Sequence, residues 1–162
     1  MNEQIRIRKI DESDINKAYL LVSSIFNEYV APLYSEEGKE EFNRFIDPRQ
    51  LNEKIKTDSF ILAAEIESEI IGVIGIRDWS HIFLLFVNGD YQRRGIASLL
   101  LNEALKLCKS GNHNLKNITV NSSPNAVKAY ERMGFIATSD EQLTKGIRFV
   151  PMCLDLEKMA AC

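Results

Sequence analysis

Between Val87 and Ala97 the chain reads Val-Asn-Gly-Asp-Tyr-Gln-Arg-Arg-Gly-Ile-Ala, and this stretch holds the residue types best suited to chemistry. It leaves an apolar run, turns, and opens a helix with Gly95 and Ala97 at its mouth. The first N–H groups of a helix lack intrahelical acceptors and carry partial positive charge, so such a mouth seats a phosphate. Gly95 lets phosphate oxygens approach the backbone without meeting a Cβ. Ala97 keeps the first turn thin, and Arg93 and Arg94 add positive charge nearby. Taken alone, Gly95 also reads as an ordinary turn glycine, and the two arginines as solvated charges. Two other phosphate loops are excluded by spacing. A Walker loop needs Lys and Ser or Thr after its second glycine, whereas Ile96-Ala97 follows Gly95. A dinucleotide fingerprint needs Gly-x-Gly-x-x-Gly, which is absent.

The elements around this segment follow from periodicity. Ile5 to Ile10 alternates apolar and basic residues, as a half-buried strand does. Asp11 offers an N-cap, and Ile15, Ala18, Tyr19, Val22, Ile25, Phe26 and Tyr29 recur at helical spacing. A loop holds Pro32 and Tyr34, and two polar helical stretches follow with Phe42, Phe45, Leu51 and Ile55 as apolar contacts. Phe60–Ile66 and Ile70–Ile76 form a hairpin through Glu67-Ser68-Glu69. Gly72 and Gly75 within one strand suggest a bulge or close packing. The run after His81 is apolar through Val87, as a central strand covered on both faces is. An amphipathic helix carries Leu99, Leu100, Ala104, Leu107 and Cys108, with Gly111 as its expected C-cap. Asn117–Asn121 is a short strand. Ser122-Ser123-Pro124 starts a helix that stops at Gly134, and strands begin at Phe135 and Phe149. The order predicts one domain over residues 1–162, an α/β fold of the mixed α+β kind with helices on both faces of a mixed sheet. His81 to Asn121 makes a strand–helix–strand unit whose strands should be parallel neighbours.

A second block bears on the first: Ser123-Pro124-Asn125-Ala126-Val127-Lys128-Ala129-Tyr130-Glu131-Arg132-Met133-Gly134-Phe135. Gln92-Arg93-Arg94-Gly95-Ile96-Ala97 resembles the Gln/Arg-x-x-Gly-x-Gly/Ala signature of the GNAT superfamily of N-acyltransferases. The second block resembles that family's Asn-x-x-Ala-x-x-x-Tyr-Glu-x-x-Gly-Phe helix, with Ser123 standing where the pattern has asparagine. The likeness is sharpest over Leu85–Phe135. It implies a mostly antiparallel sheet that splays between two parallel central strands, with the pantetheine arm of coenzyme A in the gap. It further implies backbone pairing of that arm near Leu85, Phe86 and Val87, and a pyrophosphate on the amides from Gln92 through Arg93, Arg94, Gly95 and Ile96 to Ala97. Ser123 or Asn125 would contact the arm, and Tyr130 would lie near the thioester sulfur.

The implied function is acetyl transfer from acetyl-CoA to a primary amine, by direct attack in a ternary complex. Three tasks follow. The acceptor must lose a proton, because an alkyl ammonium with a pKa of about 10 cannot attack. The oxyanion needs a donor, expected from a backbone N–H where the central strand distorts near Leu85 or Phe86. The leaving thiolate needs a proton, which Tyr130 would supply as general acid; a buried structural tyrosine is the plainer alternative. His81 stands about where many relatives carry a glutamate, which makes it a candidate base, with Glu28, Asp78 and a water chain as rivals. Glu28, Tyr29, Tyr34 and Trp79 are candidates to line the acceptor pocket, and Trp79 reads equally well as the seal of its hairpin end. Ser123 and Asn125 also read as simple capping residues.

Composition narrows the partners. Hydrophobic residues make up 45% of the 162 and charged residues 27%, with a formal charge of −3, which fits a globular domain and speaks against nucleic acid as a partner. No apolar run reaches the roughly 18 residues that span a bilayer, and the first four residues are too polar for a secretory signal. A cytoplasmic monomer or homodimer acting on a small-molecule or peptide amine is the expectation. Three well-separated cysteines, Cys108, Cys153 and Cys162, suggest neither a disulfide framework nor a metal site. The competing readings are a non-catalytic acyl-CoA-binding or regulatory module on the same scaffold, and a nucleotide-phosphate enzyme, which the missing Lys-Ser/Thr opposes.

Overall fold

The computed structural model describes residues 4–157. Strand β1 (Arg6–Lys9) leads to Asp11, whose carboxylate accepts from the Ser13 N–H at 2.9 Å while the Asp14 carboxylate accepts from the Asp11 N–H at 3.0 Å. That reciprocal cap closes a 3₁₀ turn over Glu12–Asp14, which leads into helix α1 (Ile15–Ile25), burying Ile15, Ala18, Val22 and Ile25. The helical spacing runs on past α1, but the backbone widens into a π turn over Phe26–Val30 and tightens into a 3₁₀ turn over Ala31–Leu33. The widened turn buries Phe26, Val30 and Ala31 together as a small separate cluster. Helix α2 (Glu36–Phe45) is capped by Ser35, and α3 (Pro48–Lys54) by Asp47 with proline at its first position.

Strands β2 (Ser59–Ile66) and β3 (Glu69–Arg77) are joined by Glu67 and Ser68, both at positive φ, a turn whose twist matches that of the strands. Strand β4 (His81–Val87) pairs with β3 antiparallel, but Gly75 opposes Leu84 while Ile76 opposes Ile82. Phe83 is therefore the extra residue of a bulge. Its effect on facing is visible in the packing: Ile82 joins one core, while Phe83 and Leu84 both turn to the other. A Cβ on Gly75 would come within 2.7 Å of the Phe83 ring, so the glycine makes room for that ring. The bulge suspected from the paired glycines is thus present.

Helix α4 (Ile96–Gly111) follows, then β5 (Asn117–Ser122), parallel to β4. Helix α5 (Val127–Arg132) comes after a 3₁₀ turn over Pro124–Ala126, and the chain ends in β6 (Ile136–Ala137), β7 (Gln142–Thr144) and β8 (Ile147–Asp155). Sheet order is β1-β2-β3-β4-β5-β8-β6, with β7 paired to β8. Among the described residues only the β4–β5 pair is parallel. Helix α4 covers one face through Leu100, Ala104 and Cys108, and α1 and α3 cover the other through Ala18, Val22 and Leu51. Among the described residues no helix is long and apolar enough to cross a membrane.

Three details differ from the sequence reading. Gly111 lies within α4, whose C-cap is Asn112; a Cβ on Gly111 would meet the Trp79 ring at 2.5 Å, so the glycine serves packing. The β7–β8 hairpin, turning at Lys145 and Gly146 with positive φ, is additional. Cys108 is a free buried thiol, but Cys153 is disulfide-bonded, and Cys162 lies outside the described residues.

Candidate active site

The parallel pairing of β4 with β5 covers only His81 opposite Thr119 and Ile82 opposite Val120. Beyond that point each strand stays with its outer neighbour. β4 follows β3 as far as Gly72 opposite Val87, and β5 follows β8 as far as Ser122 opposite Val150. The centre of the sheet therefore opens into a wedge. A cleft of about 100 Å³ fills it, lined by Leu84, Leu85, Phe86, Val120, Ser123 and Tyr130, with Phe26 and Val30 contributed by the π turn. The unpaired edges of a strand are a template for an extended ligand.

At the wide end of the wedge lies the loop into α4. The Asn88 side chain accepts from the Asp90 N–H at 2.9 Å, and Gln92 Nε2 donates to the Val87 carbonyl at 3.0 Å, tying the loop to the end of β4. Arg93 at φ +64° and Gly95 at φ +79° then turn the chain into α4. No described side chain caps that helix, so its first amides keep their donors. A Cβ on Gly95 would find nothing within 4 Å, leaving open space over those amides. Bare donors, partial positive charge and open space fit a diphosphate. Arg94 stacks over the Tyr91 ring at 5.1 Å, and Arg93 is exposed.

Tyr130 is buried on the opposite wall, its ring edge-on to Phe135 with centroids 5.3 Å apart. Burial pushes its phenol well above the usual value, so the group holds its proton throughout the physiological range. Ser123 opens its turn in extended conformation, and its side chain makes no capping hydrogen bond. The capping reading of Ser123 thus has no bond behind it. Asn125 is exposed and lines neither this cleft nor the next.

A second cleft of about 370 Å³ lies between α2 and the β7–β8 hairpin, and it shares Tyr34, Phe42, Phe83 and Asn121 with the first. Backbone contact holds its walls together: a Cβ on Gly38 would fall 2.1 Å from the Gly146 carbonyl oxygen. The Tyr34 hydroxyl donates to the Arg148 carbonyl at 3.2 Å, and burial pushes its phenol up to about 12. His81 lines this cleft with Arg77, its cross-strand partner. His81 Nδ1 lies 2.7 Å from Thr119 Oγ1, and burial, aided by the Arg77 charge, lowers the imidazole to about 4 from 6.5. The ring is therefore neutral near pH 7.

A stability prediction follows. The unfolded chain binds more protons on His81 between pH 6.5 and 4 than the folded one does. The stability tied to the neutral imidazole is present above pH 6.5 and is lost as pH falls toward 4. Denaturation midpoints measured across this window should show a wild-type decline that His81→Gln reduces. Superimposable pH profiles would mean that the imidazole titrates normally.

Of the sequence candidates, Leu85, Phe86, Ser123 and Tyr130 line the first cleft, Tyr34 lines both, and His81 the second. Tyr29 instead braces the loop into α4, its hydroxyl 2.6 Å from where a Gly89 Cβ would stand. Glu28 is exposed on the π turn and lines neither cleft. Trp79 packs on Phe60, with ring centroids 5.9 Å apart, and against Gly111. That position seals the hairpin and is outside both clefts. The strand distortion falls at Phe83, displaced from the expected Leu85 or Phe86, because Gly75 opposite leaves room for the phenyl ring. Phe45, Arg77, Phe83, Lys145 and Phe149 line the second cleft unanticipated. A positive-φ turn at Lys145-Gly146 was the available signal for the hairpin that carries two of them.

With this geometry in hand, comparison with known proteins is informative. The family profile of the acetyltransferase (GNAT) domain matches residues 30–156. Among solved structures, the chain is similar to a GCN5-related N-acetyltransferase from Rhodopseudomonas palustris, with TM-score 0.81 and 21% identity over 96% of this chain and 99% of that one. It is similar to the PaiA N-acetyltransferase of Thermoplasma acidophilum, solved with coenzyme A, with TM-score 0.74 and 22% identity over 92% and 98%. A third is the ribosomal-protein-S18-alanine N-acetyltransferase of Escherichia coli, with TM-score 0.65 and 13% identity over 98% and 96%. At such identities these structures speak to the fold.

Proposed function

Because the chain belongs to the acetyltransferase (GNAT) domain family, we propose that it transfers an acetyl group from acetyl-CoA to the primary amine of an acceptor, by direct attack with both bound. One observation carries the reading: β4 and β5 part after Ile82 and Val120, and an uncapped helix start faces the opening. The amides from Gln92 to Ala97 hold the diphosphate, and the free edge of β4 at Leu85 to Val87, with Ser123, holds the pantetheine arm. Acetyl-CoA supplies an acetyl group activated as a thioester. The protein's part is to align the acceptor and to move two protons.

In the tautomer whose Nδ1–H donates to Thr119 Oγ1, His81 Nε2 is the nitrogen open to take the proton of the acceptor amine. The bulge at Phe83 turns backbone amides out of the β3–β4 ladder and supports a hydrogen bond to the reacting carbonyl oxygen. Tyr130 Oη donates its proton at the sulfur end. The acceptor enters through the second cleft, which meets the first at Phe83 and Asn121. The test is thiol release from acetyl-CoA across an amine panel. Turnover of at least one amine is expected. Tight cofactor binding without any turnover would leave a non-catalytic binding module, and no cofactor binding would end the reading altogether.

A further inference from the structure

The second cleft is unusual in its charge. Arg77 and Lys145 line it together with one carboxylate, Glu41. That carboxylate already has partners: it accepts from Arg44 Nη2 at 2.5 Å, and the Lys145 charge stabilises it further. Arg77 forms no ion pair or hydrogen bond through its guanidinium among the described residues. Its field is felt nonetheless, since it opposes protonation of both His81 and Lys54. Lys54 sits behind the cleft wall with Nζ 4.4 Å from the Phe45 ring centroid. The chain as a whole carries −3, so this excess of cations is local. Beside the charges, Phe45, Phe83 and Phe149 make an apolar wall, the first two edge-on with centroids 6.0 Å apart.

Resting on the function proposed above, we infer that the acceptor is an α-amino acid with an apolar side chain, its carboxylate taken by Arg77 and its amine presented to His81. A polyamine or aminoglycoside would bring more positive charge to a site already rich in it, at a cost in every pose. A guanidinium without a partner is suited to a carboxylate, which it can grip with two parallel hydrogen bonds. The spacing agrees as well. Arg77 and His81 are directly opposed across β3 and β4, so their side chains leave the same face about 5 Å apart at Cβ. A ligand whose anion and amine share one carbon spans neighbouring groups of that kind. The phenylalanine wall then receives its side chain. Arg77 acts here as a specificity-determining residue.

The experiment compares phenylalanine, phenylalanine amide, 2-phenylethylamine and spermidine as acceptors by thiol release. Phenylalanine should exceed the amide and 2-phenylethylamine in kcat/KM by about tenfold or more, with spermidine slowest. Arg77→Ala should erase that preference by raising KM for phenylalanine about tenfold while leaving kcat within about twofold, and Arg77→Lys should restore part of it. A second arm needs no turnover: N-acetylphenylalanine should bind the CoA-saturated protein about tenfold more tightly in the wild type than in Arg77→Ala. An amide or polyamine turned over as well as the acid would overturn the inference, as would product binding indifferent to Arg77. Absence of turnover on every amine would instead count against the proposed function, with the product-binding arm still deciding the role of Arg77.

Discussion

Gly95→Glu is expected to weaken acetyl-CoA binding by at least about 100-fold, which corresponds to roughly 2.7 kcal/mol. The space over Gly95 is open, with nothing within 4 Å of a Cβ built there, so the new side chain has no clash inside the protein. Its conflict is with the ligand, because a carboxylate placed over the first amides of α4 competes for the donors that a diphosphate needs. Backbone strain must be separated from this effect. A non-glycine residue at φ +79° costs about 1–2 kcal/mol, which both Gly95→Ala and Gly95→Glu would carry. Calorimetric titration with coenzyme A should find the alanine variant much closer to wild type than the glutamate variant. Equal affinities for wild type and Gly95→Glu would remove the phosphate site from this helix.

Tyr130→Phe carries the second large effect. Loss of the hydroxyl should lower kcat by about 100-fold, the lower end of what a positioned general acid contributes, while the Kd for acetyl-CoA stays within about threefold. The ring itself is held by its edge contact with Phe135 and by burial in the main core, and phenylalanine preserves both. The variant should therefore fold and bind normally. That split between rate and affinity distinguishes proton donation from packing. An unchanged kcat would leave Tyr130 a core residue and return the question of the leaving-group proton to solvent.

How much of this was legible in the sequence depends on whether the signal was local. The turn into α4 was readable because its ingredients are contiguous: Gln92, Gly95 and Ala97 sit within six residues that also mark the start of a helix. The helix that carries Tyr130 was readable for a similar reason, since a proline opens its first turn and Gly134 follows its end. The bulge was half legible. Gly72 and Gly75 announced an irregular strand, but the residue displaced, Phe83, lies on the partner strand and emerges only from the register between them. The second cleft was least legible. Phe42 and Phe45 read as helix contacts with the core, and their role depends on which hairpin lies across from them. That hairpin is short and exposed along β7, so it lacks the apolar alternation that marks a strand. Trp79 stayed open between two readings because a lone aromatic at a hairpin end looks alike whether it faces a ligand or a helix. Only Gly111, thirty-two positions away, tells which.

The splayed sheet also explains why one small domain provides two meeting clefts. β4 must stay paired with β3 to keep the core covered by α1 and α4, and β5 must stay paired with β8. The two inner strands part beside the bulge at Phe83, and the loop to α4 lies at the wide end of the wedge. His81 and Thr119 sit at the narrow end, where the two strands still touch.

The most direct measurement is a crystal structure of the protein with coenzyme A. It should show the diphosphate on the amides between Gln92 and Ala97 and the pantetheine arm running between β4 and β5 toward Tyr130. Coenzyme A bound at any other surface, or β4 and β5 found hydrogen-bonded to each other past Ile82 and Val120, would contradict the account.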